Sequence, residues 1–165
     1  MSREKAGWTV PDLSPGARTV IVAAALALLT LLVYAEVWNH GFISLDDDEY
    51  VTENPAVLNG LTWPGVKWAF TTFHAANWHP LTWLSHMADV EWFGMWAGGH
   101  HGTNVLLHAG STVVLFLALR RMTGSLWRSG MAAALFGAHP LHVESVAWVA
   151  ERKDVLSGLF FFLGL

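Results

Sequence analysis

The sequence predicts an all-α integral membrane protein, a bundle of spans with one large loop on its outer side. Three observations carry that prediction. Of 165 residues, 53% are hydrophobic and only 13% charged, with a mean hydropathy of +0.38, whereas soluble domains carry about a quarter charged residues. Long apolar stretches recur along the chain. Lys and Arg also cluster in alternate connecting segments, as cytoplasmic loops require.

Taken in order, residues 1–18 form a tail with Arg3, Lys5 and Arg18. Residues 19–38, "TVIVAAALALLTLLVYAEVW", are the first span, since about 20 apolar residues cross a bilayer core of ~30 Å. Val33 and Ala35 also fit a signal-peptide cleavage pattern, but the long apolar stretch and the later spans favour a retained helix. Residues 39–102 are the large loop. Residues 103–119, "TNVLLHAGSTVVLFLAL", are the second span, and residues 120–128, with Arg120, Arg121 and Arg128, the turn after it. Residues 129–150 are the third span, interrupted by Pro140. Residues 151–165 make an outer turn and open a fourth span, whose last eleven residues rise only ~16 Å as helix, so the chain is expected to be a fragment. Between Asn39 and Gly99 there is one cation, Lys67, against seven acids. Tail and short turn are therefore placed in the cytoplasm, and the long loop outside.

That loop is too long for an ordinary connection, and its nine Trp and Phe residues between Trp63 and Trp96 argue against disorder. Thr62 ahead of Pro64 predicts a helix through "GVKWAFTTF". "PLTWLSHMADVEWFG" predicts another, with Leu81, Leu84, Met87 and Ala88 along one side. Both are expected to lie in the membrane interface, where ten Trp against two Tyr also point.

The composition excludes some functions. A net charge of −4 without a basic excess gives no nucleic-acid partner. The absence of Cys removes disulfide and thiol chemistry. Charged residues gather at one face rather than at the bilayer midplane, which ranks a transporter last.

Two stretches remain that could carry chemistry. "FISLDDDEYVTENP" sets Asp46, Asp47, Asp48 and Glu49 side by side at the outer end of the first span, where a lipid headgroup sits. "AHPLHVESVAWVAERKD" breaks a span at Pro140 and places His139, His142 and Glu144 beside the cations Arg152 and Lys153. Ionisable residues at membrane depth usually face a polar cavity, and a cation pair on the outer side suits an anionic ligand. His139, His142, Glu144, Arg152 and Lys153 are thus candidates for binding a lipid phosphate. Asp46, Asp47 and Glu144 are also candidate ligands for a divalent cation, with His139-x-x-His142-x-Glu144 as a second pattern, although no zinc-protease H-E-x-x-H occurs. The metal requirement stays open. All nine His lie on the outer side or the outer half of a span.

The blocks "LDDDEYVTENPAVLNGLTWPGVKWAFTT", "NWHPLTWLSHMADVEWFG", "GHHGTNVLLHAGSTVVLFLALRRMTG" and "HPLHVESVAWVAERKDVLS" resemble the amino-terminal membrane region of bacterial TPR-containing membrane proteins. Those are similar to the animal transmembrane and TPR O-mannosyltransferases. The resemblance runs from about Val37 to the end and implies the GT-C glycosyltransferase fold. It also implies transfer of a sugar, mannose in the family, from a polyprenyl-phosphate donor to protein Ser or Thr hydroxyls at the outer face. The family's acidic pair falls on Asp46 and Asp47, which makes them the expected catalytic residues. His139, Glu144 and Arg152 match family positions without settled roles. The implied partners are membrane lipid, the polyprenyl-phosphate-linked sugar and an acceptor protein, in a bacterial inner membrane. The alternative is a non-catalytic anchor for TPR repeats, or a lipid-phosphate binder without transfer.

Overall fold

The computed structural model describes residues 13–165, so the tail cations Arg3 and Lys5 lie outside the described residues. Every regular element among the described residues is helical. Helix α1 spans Pro15–Val33. Ser14 caps it by accepting the Ala17 N–H on its hydroxyl oxygen at 3.2 Å, and Pro15, which has no N–H to leave unpaired, opens the first turn. The expected span to Trp38 does not remain α-helical to its end: residues Ala35–Asn39 tighten into a 3-10 turn.

The outer loop folds into α2 (Pro55–Leu58), α3 (Trp63–Thr71) and α4 (Pro80–Phe93). Thr62 does cap α3, accepting the Gly65 N–H at 3.2 Å. Helix α4 buries part of the expected leucine side, Met87 fully and Leu84 and Ala88 partly, and adds polar residues beside it. Leu81 is exposed, while Thr82, Trp83, His86, Met87 and Asp89 face inward.

Helix α5 runs through Ala97–Thr123 and stops at Gly124, whose φ of +67° takes the left-handed conformation that ends many helices. It begins six residues before the expected Thr103, because the "GGHHG" stretch is helical. Its glycines serve close packing: a Cβ on Gly102 would sit 2.6 Å from the Trp38 ring.

The expected third span divides. Helix α6 (Leu126–Gly137) is only about 18 Å long. After it, Pro140 opens a 3-10 turn (Pro140–His142), followed by the short α7 (Val143–Ala147) and a second turn (Val149–Glu151). Helix α8 occupies Arg152–Leu163. Of the four expected spans, α1 and α5 are long and apolar enough to cross a membrane on their own.

Three clusters hold these elements together. Leu26, Phe116 and Ala133 join α1, α5 and α6, and Tyr34, Val37, Val105, Val146 and Val155 join α1 to α5, α7 and α8. Small residues let the backbones approach: a Cβ on Gly137 would lie 2.8 Å from the Thr30 hydroxyl, the kind of contact that replaces hydrophobic drive between apolar helices. The third cluster unites Tyr50, Val51, Val57, Ala69, Trp83 and Met87 of the loop with Val149 and Ala150. Outside lipid, each large side chain buried there contributes ~1.5–3 kcal/mol. That cluster seats the loop on the corner between α7 and α8.

Candidate active site

The four adjacent carboxylates receive four different environments. Asp47 is fully buried. The Ile43 N–H donates to its Oδ2 at 2.9 Å, and the Ala150 N–H donates to its Oδ1 at 2.9 Å. Burial pushes the Asp47 carboxyl above the usual carboxylate range, against the lowering effect of those two amides and of His101. Asp46 is half-buried. Asp48 accepts the Thr52 hydroxyl at 3.3 Å inside a π-helical turn, Asp48–Thr52. Glu49 is exposed, 3.7 Å from His74 Nε2. Asn54 fixes the run from behind. It donates to the Glu49 carbonyl at 3.1 Å and caps α2 through the N–H groups of Ala56 and Val57.

The Asp47–Ala150 bond spans 103 positions of sequence and brings the acidic run to the corner before α8. The residues that follow Pro140 are placed less closely. His139 is exposed and accepts the Leu141 N–H at 3.2 Å on Nδ1, and Glu144 is exposed in the first turn of α7. His142 packs at ring-centroid distances of 4.6 Å on Phe136 and 5.3 Å on His108. Among the described residues, no hydrogen bond or ion pair joins His139, His142 or Glu144 to Asp46 or Asp47.

Arg152 and Lys153 are neighbours in sequence but not in role. Side chains one residue apart on a helix point about 100° apart, and here one turns in and the other out. Arg152 is completely buried, with Nη2 donating to Asp89 Oδ2 at 2.6 Å and to the His100 carbonyl at 2.8 Å. It also donates to Asn104 Oδ1 and, at 3.3 Å, to Ser85 Oγ. A guanidinium suits this position because its five donors lie in a fixed fork. With its hydrogen bonds turned inward, Arg152 holds α4, α5 and α8 together.

Lys153 stays at the surface, 2.7 Å from Glu151 and 5.6 Å from the centre of the Tyr50 ring. Burial pushes the Tyr50 phenol above its ordinary pKa, Glu151 and Asp46 add to that, and Lys153 and Asn77 oppose it. Asp46, Glu151 and Lys153 thus all act electrostatically on Tyr50, with Lys153 alone over its ring, and that ring also stacks on Trp83 at 4.9 Å. Beside Lys153 opens a cleft of about 470 Å³, walled by Phe70, Trp78, Leu81, Leu156 and Phe160 and lined also by His79. Burial and the nearby Lys153 hold the His79 imidazole below its usual pKa, so it is neutral at pH 7. A larger groove of about 710 Å³ lies at the other end of α5, beside Arg120 and Arg121, and carries neither carboxylate nor imidazole. The smaller cleft is the one next to the chemistry.

Among the described residues, the only grouping of three or more His, Asp or Glu close enough to share a metal ion is His86, Asp89 and His100. The sequence reading did not single it out. Its signal was the i,i+3 spacing of His86 and Asp89 on a helix otherwise read as amphipathic. Burial holds the His86 imidazole well below its ordinary pKa, with the positive charge of Arg152 adding to the effect.

No protein-family model matches the chain, and no solved structure matches it. Curated proteins do. The chain is 31% identical over 144 residues to Protein O-mannosyl-transferase tmtc2 of Xenopus laevis, covering 83% of this chain and 17% of that protein. It is 31% identical over 144 residues to Protein O-mannosyl-transferase Tmtc2 of Drosophila melanogaster, covering 82% and 15%. To Protein O-mannosyl-transferase TMTC1 of Mus musculus it is 33% identical over 153 residues, covering 86% and 16%. Most of the chain is therefore homologous to animal protein O-mannosyl-transferases, and it spans about one sixth of the length of these relatives.

Proposed function

We propose that this chain is the amino-terminal membrane part of a protein O-glycosyltransferase of the kind its relatives represent, with the GT-C fold, in a bacterial inner membrane. The whole enzyme transfers a sugar, mannose by analogy, from a polyprenyl phosphate to Ser or Thr hydroxyls at the outer face. The observation that carries this reading is the Asp47–Ala150 hydrogen bond, 2.9 Å long. It joins the acidic run to the corner that displays Lys153 beside an apolar cleft. A cation next to a hydrophobic channel suits a lipid phosphate, with chain in the cleft and charge at its rim.

In this mechanism the donor already carries a good leaving group, so its phosphate needs charge neutralisation more than protonation. Lys153 supplies that charge. Asp46, the half-buried member of the acidic pair, takes the proton of the acceptor hydroxyl as its oxygen attacks the anomeric carbon. The bond from that carbon to the phosphate oxygen breaks, the polyprenyl phosphate leaves with the electron pair, and the configuration inverts. General-base assistance of this type contributes about 10²–10⁴-fold. Asp47, with both oxygens engaged by backbone amides, is the positioning residue.

A second reading has an observation in its favour. Asp47 and Arg152 both spend their polar groups inside the fold, as they would in a non-catalytic membrane anchor or lipid-phosphate binder. Glycoproteomics of a deletion strain complemented with the full-length gene separates the two. Asp46→Asn is expected to abolish acceptor glycosylation while donor binding and protein level persist. Wild-type glycosylation in that variant, or no glycan difference between deletion and wild type, refutes the transferase reading.

A further inference from the structure

We propose that His86, Asp89 and His100 form a structural site for one divalent transition-metal ion, with zinc best suited, fastening the second half of α4 to the start of α5. Two imidazoles and one carboxylate are a common three-residue zinc ligand set whose fourth position a water molecule fills, and imidazole favours zinc over magnesium or calcium. The fold brings these three together in a definite way. His86 and Asp89 share one face of α4 at i,i+3, and α4 ends at Gly94, so the chain turns back and presents His100 in the first turn of α5.

The ligand atoms all lie within 4.8 Å of one another, and His100 Nδ1 is 3.8 Å from Asp89 Oδ2. Zinc–ligand bonds of ~2.0–2.2 Å at tetrahedral angles put ligand atoms about 3.4 Å apart.

Two further observations separate this cluster from an ordinary buried polar network. The first is orientation. His100 Nε2–H donates to the Gly94 carbonyl at 2.9 Å, which leaves the lone pair on Nδ1 turned toward Asp89. The Thr103 hydroxyl donates to Asp89 Oδ1 at 2.7 Å. Outer-shell bonds of this kind fix metal-binding imidazoles and carboxylates. The second is a deficit. Both ring nitrogens of His86 and Nδ1 of His100 have no hydrogen-bond partner, although both residues are completely buried. Each unpaired buried polar atom costs about 1–3 kcal/mol, and a metal ion supplies a partner to two of these three nitrogens, one on each ring.

Arg152 tests the idea from the other side, because its guanidinium already donates to Asp89 Oδ2. An ionised carboxylate offers about four lone-pair sites, so metal and guanidinium can share it. The neighbouring positive charge makes the site weaker than a thiolate site and open to chelators. Its closed position gives it no role in the proposed sugar transfer, and the inference stands without that reading.

The test uses the protein purified from zinc-supplemented cells through a tag other than polyhistidine, so that no nickel column exchanges the metal. Elemental analysis should find about one first-row metal ion per chain. Chelation should lower the melting temperature, and refilling with cobalt should produce the visible absorption of a tetrahedral centre. His86→Leu and His100→Leu should fall to background, while His74→Ala, on an exposed imidazole, keeps the metal. Background metal in the wild type, or full occupancy in His86→Leu, overturns the proposal. Should the leucine variants fail to accumulate, wild-type metal content and the cobalt spectrum decide alone.

Discussion

Replacing Arg152 with Met tests whether the corner before α8 is held by a buried charge or only by apolar packing. Its guanidinium is wholly buried, pairs with an Asp89 that is 1% exposed, and also serves the His100 carbonyl, Asn104 and Ser85. Methionine fills much of the volume but donates nothing. Asp89 is then a buried carboxyl group whose remaining side-chain hydrogen bond comes from the Thr103 hydroxyl. Breaking a buried pair from one side costs about 3–5 kcal/mol. For a chain of this length each kcal/mol moves the melting temperature roughly 2–4 °C, which makes the expected drop about 6–20 °C.

Arg152→Lys separates charge from shape. An ammonium restores the ion pair but cannot reproduce the planar fork, so some of the four acceptors stay unsatisfied, at about 1–3 kcal/mol. Lys153→Met, one residue further, removes a surface cation and should leave melting unchanged. The assay is tryptophan fluorescence during heating in detergent, with size exclusion to follow loss of the folded species. If Arg152→Met melts with the wild type, or Arg152→Lys falls as far as Arg152→Met, the buried-hub account is refuted.

Lys153→Ala should raise the KM for the lipid-phosphate donor at least several-fold with normal melting; an unchanged KM in reconstituted vesicles removes Lys153 from the donor site. Asp47 should make stability depend on pH. Its native pKa is raised above the ordinary 3.8 by burial, so the native state holds this proton more tightly than the unfolded chain, and stability falls as pH climbs from that value through the native one. Asp47→Asn should remove this fall, yet cost about 1–3 kcal/mol because its amide turns a donor toward one of two backbone donors; a wild-type pH profile of melting in that variant contradicts the assignment. Gly102→Leu should prevent α5 from seating on Trp38, since even a Cβ there lies 2.6 Å from the ring; a normally folded variant by size exclusion counts against that contact. Asn54→Ala should cost about 1 kcal/mol through loss of the α2 cap, read as faster hydrogen exchange across residues 46–57.

Much of the architecture was legible because it rests on local rules. The apolar run of α1, the core of α5, the Thr62 cap and the break at Pro140 follow from hydropathy, capping chemistry and a missing N–H. What escaped depends on partners far away in sequence. The leucine side expected for α4 assumes that apolar residues face inward. Helix α4 also turns His86 and Asp89 inside, where Arg152, 63 positions beyond Asp89, pairs with that carboxylate. The start of α5 escaped for a related reason. "GGHHG" has the composition of a loop, yet those glycines admit the rings of Trp38 and Phe93 against the helix backbone. Asp46 and Asp47 were read as one pair, and only the fold separates a buried, amide-bound carboxylate from a half-buried one.

The corner at residues 148–153 explains why a rigid scaffold would be needed at all. Lys153 is a flexible chain with a strongly hydrated charge, and left alone it would position a phosphate poorly. Its backbone is fixed from three directions: the Trp148 carbonyl accepts from Asn104 at 2.8 Å, the Ala150 N–H binds Asp47, and Arg152 reaches Asp89. Glu151 and the face of Tyr50 then restrain its side chain. Preorganised charge stabilises a developing anion most because nothing must reorganise during the reaction. In a transferase the same contacts set the distance between the cation at the donor phosphate and the carboxylate that takes the acceptor proton, and that distance governs how well the two substrates are aligned.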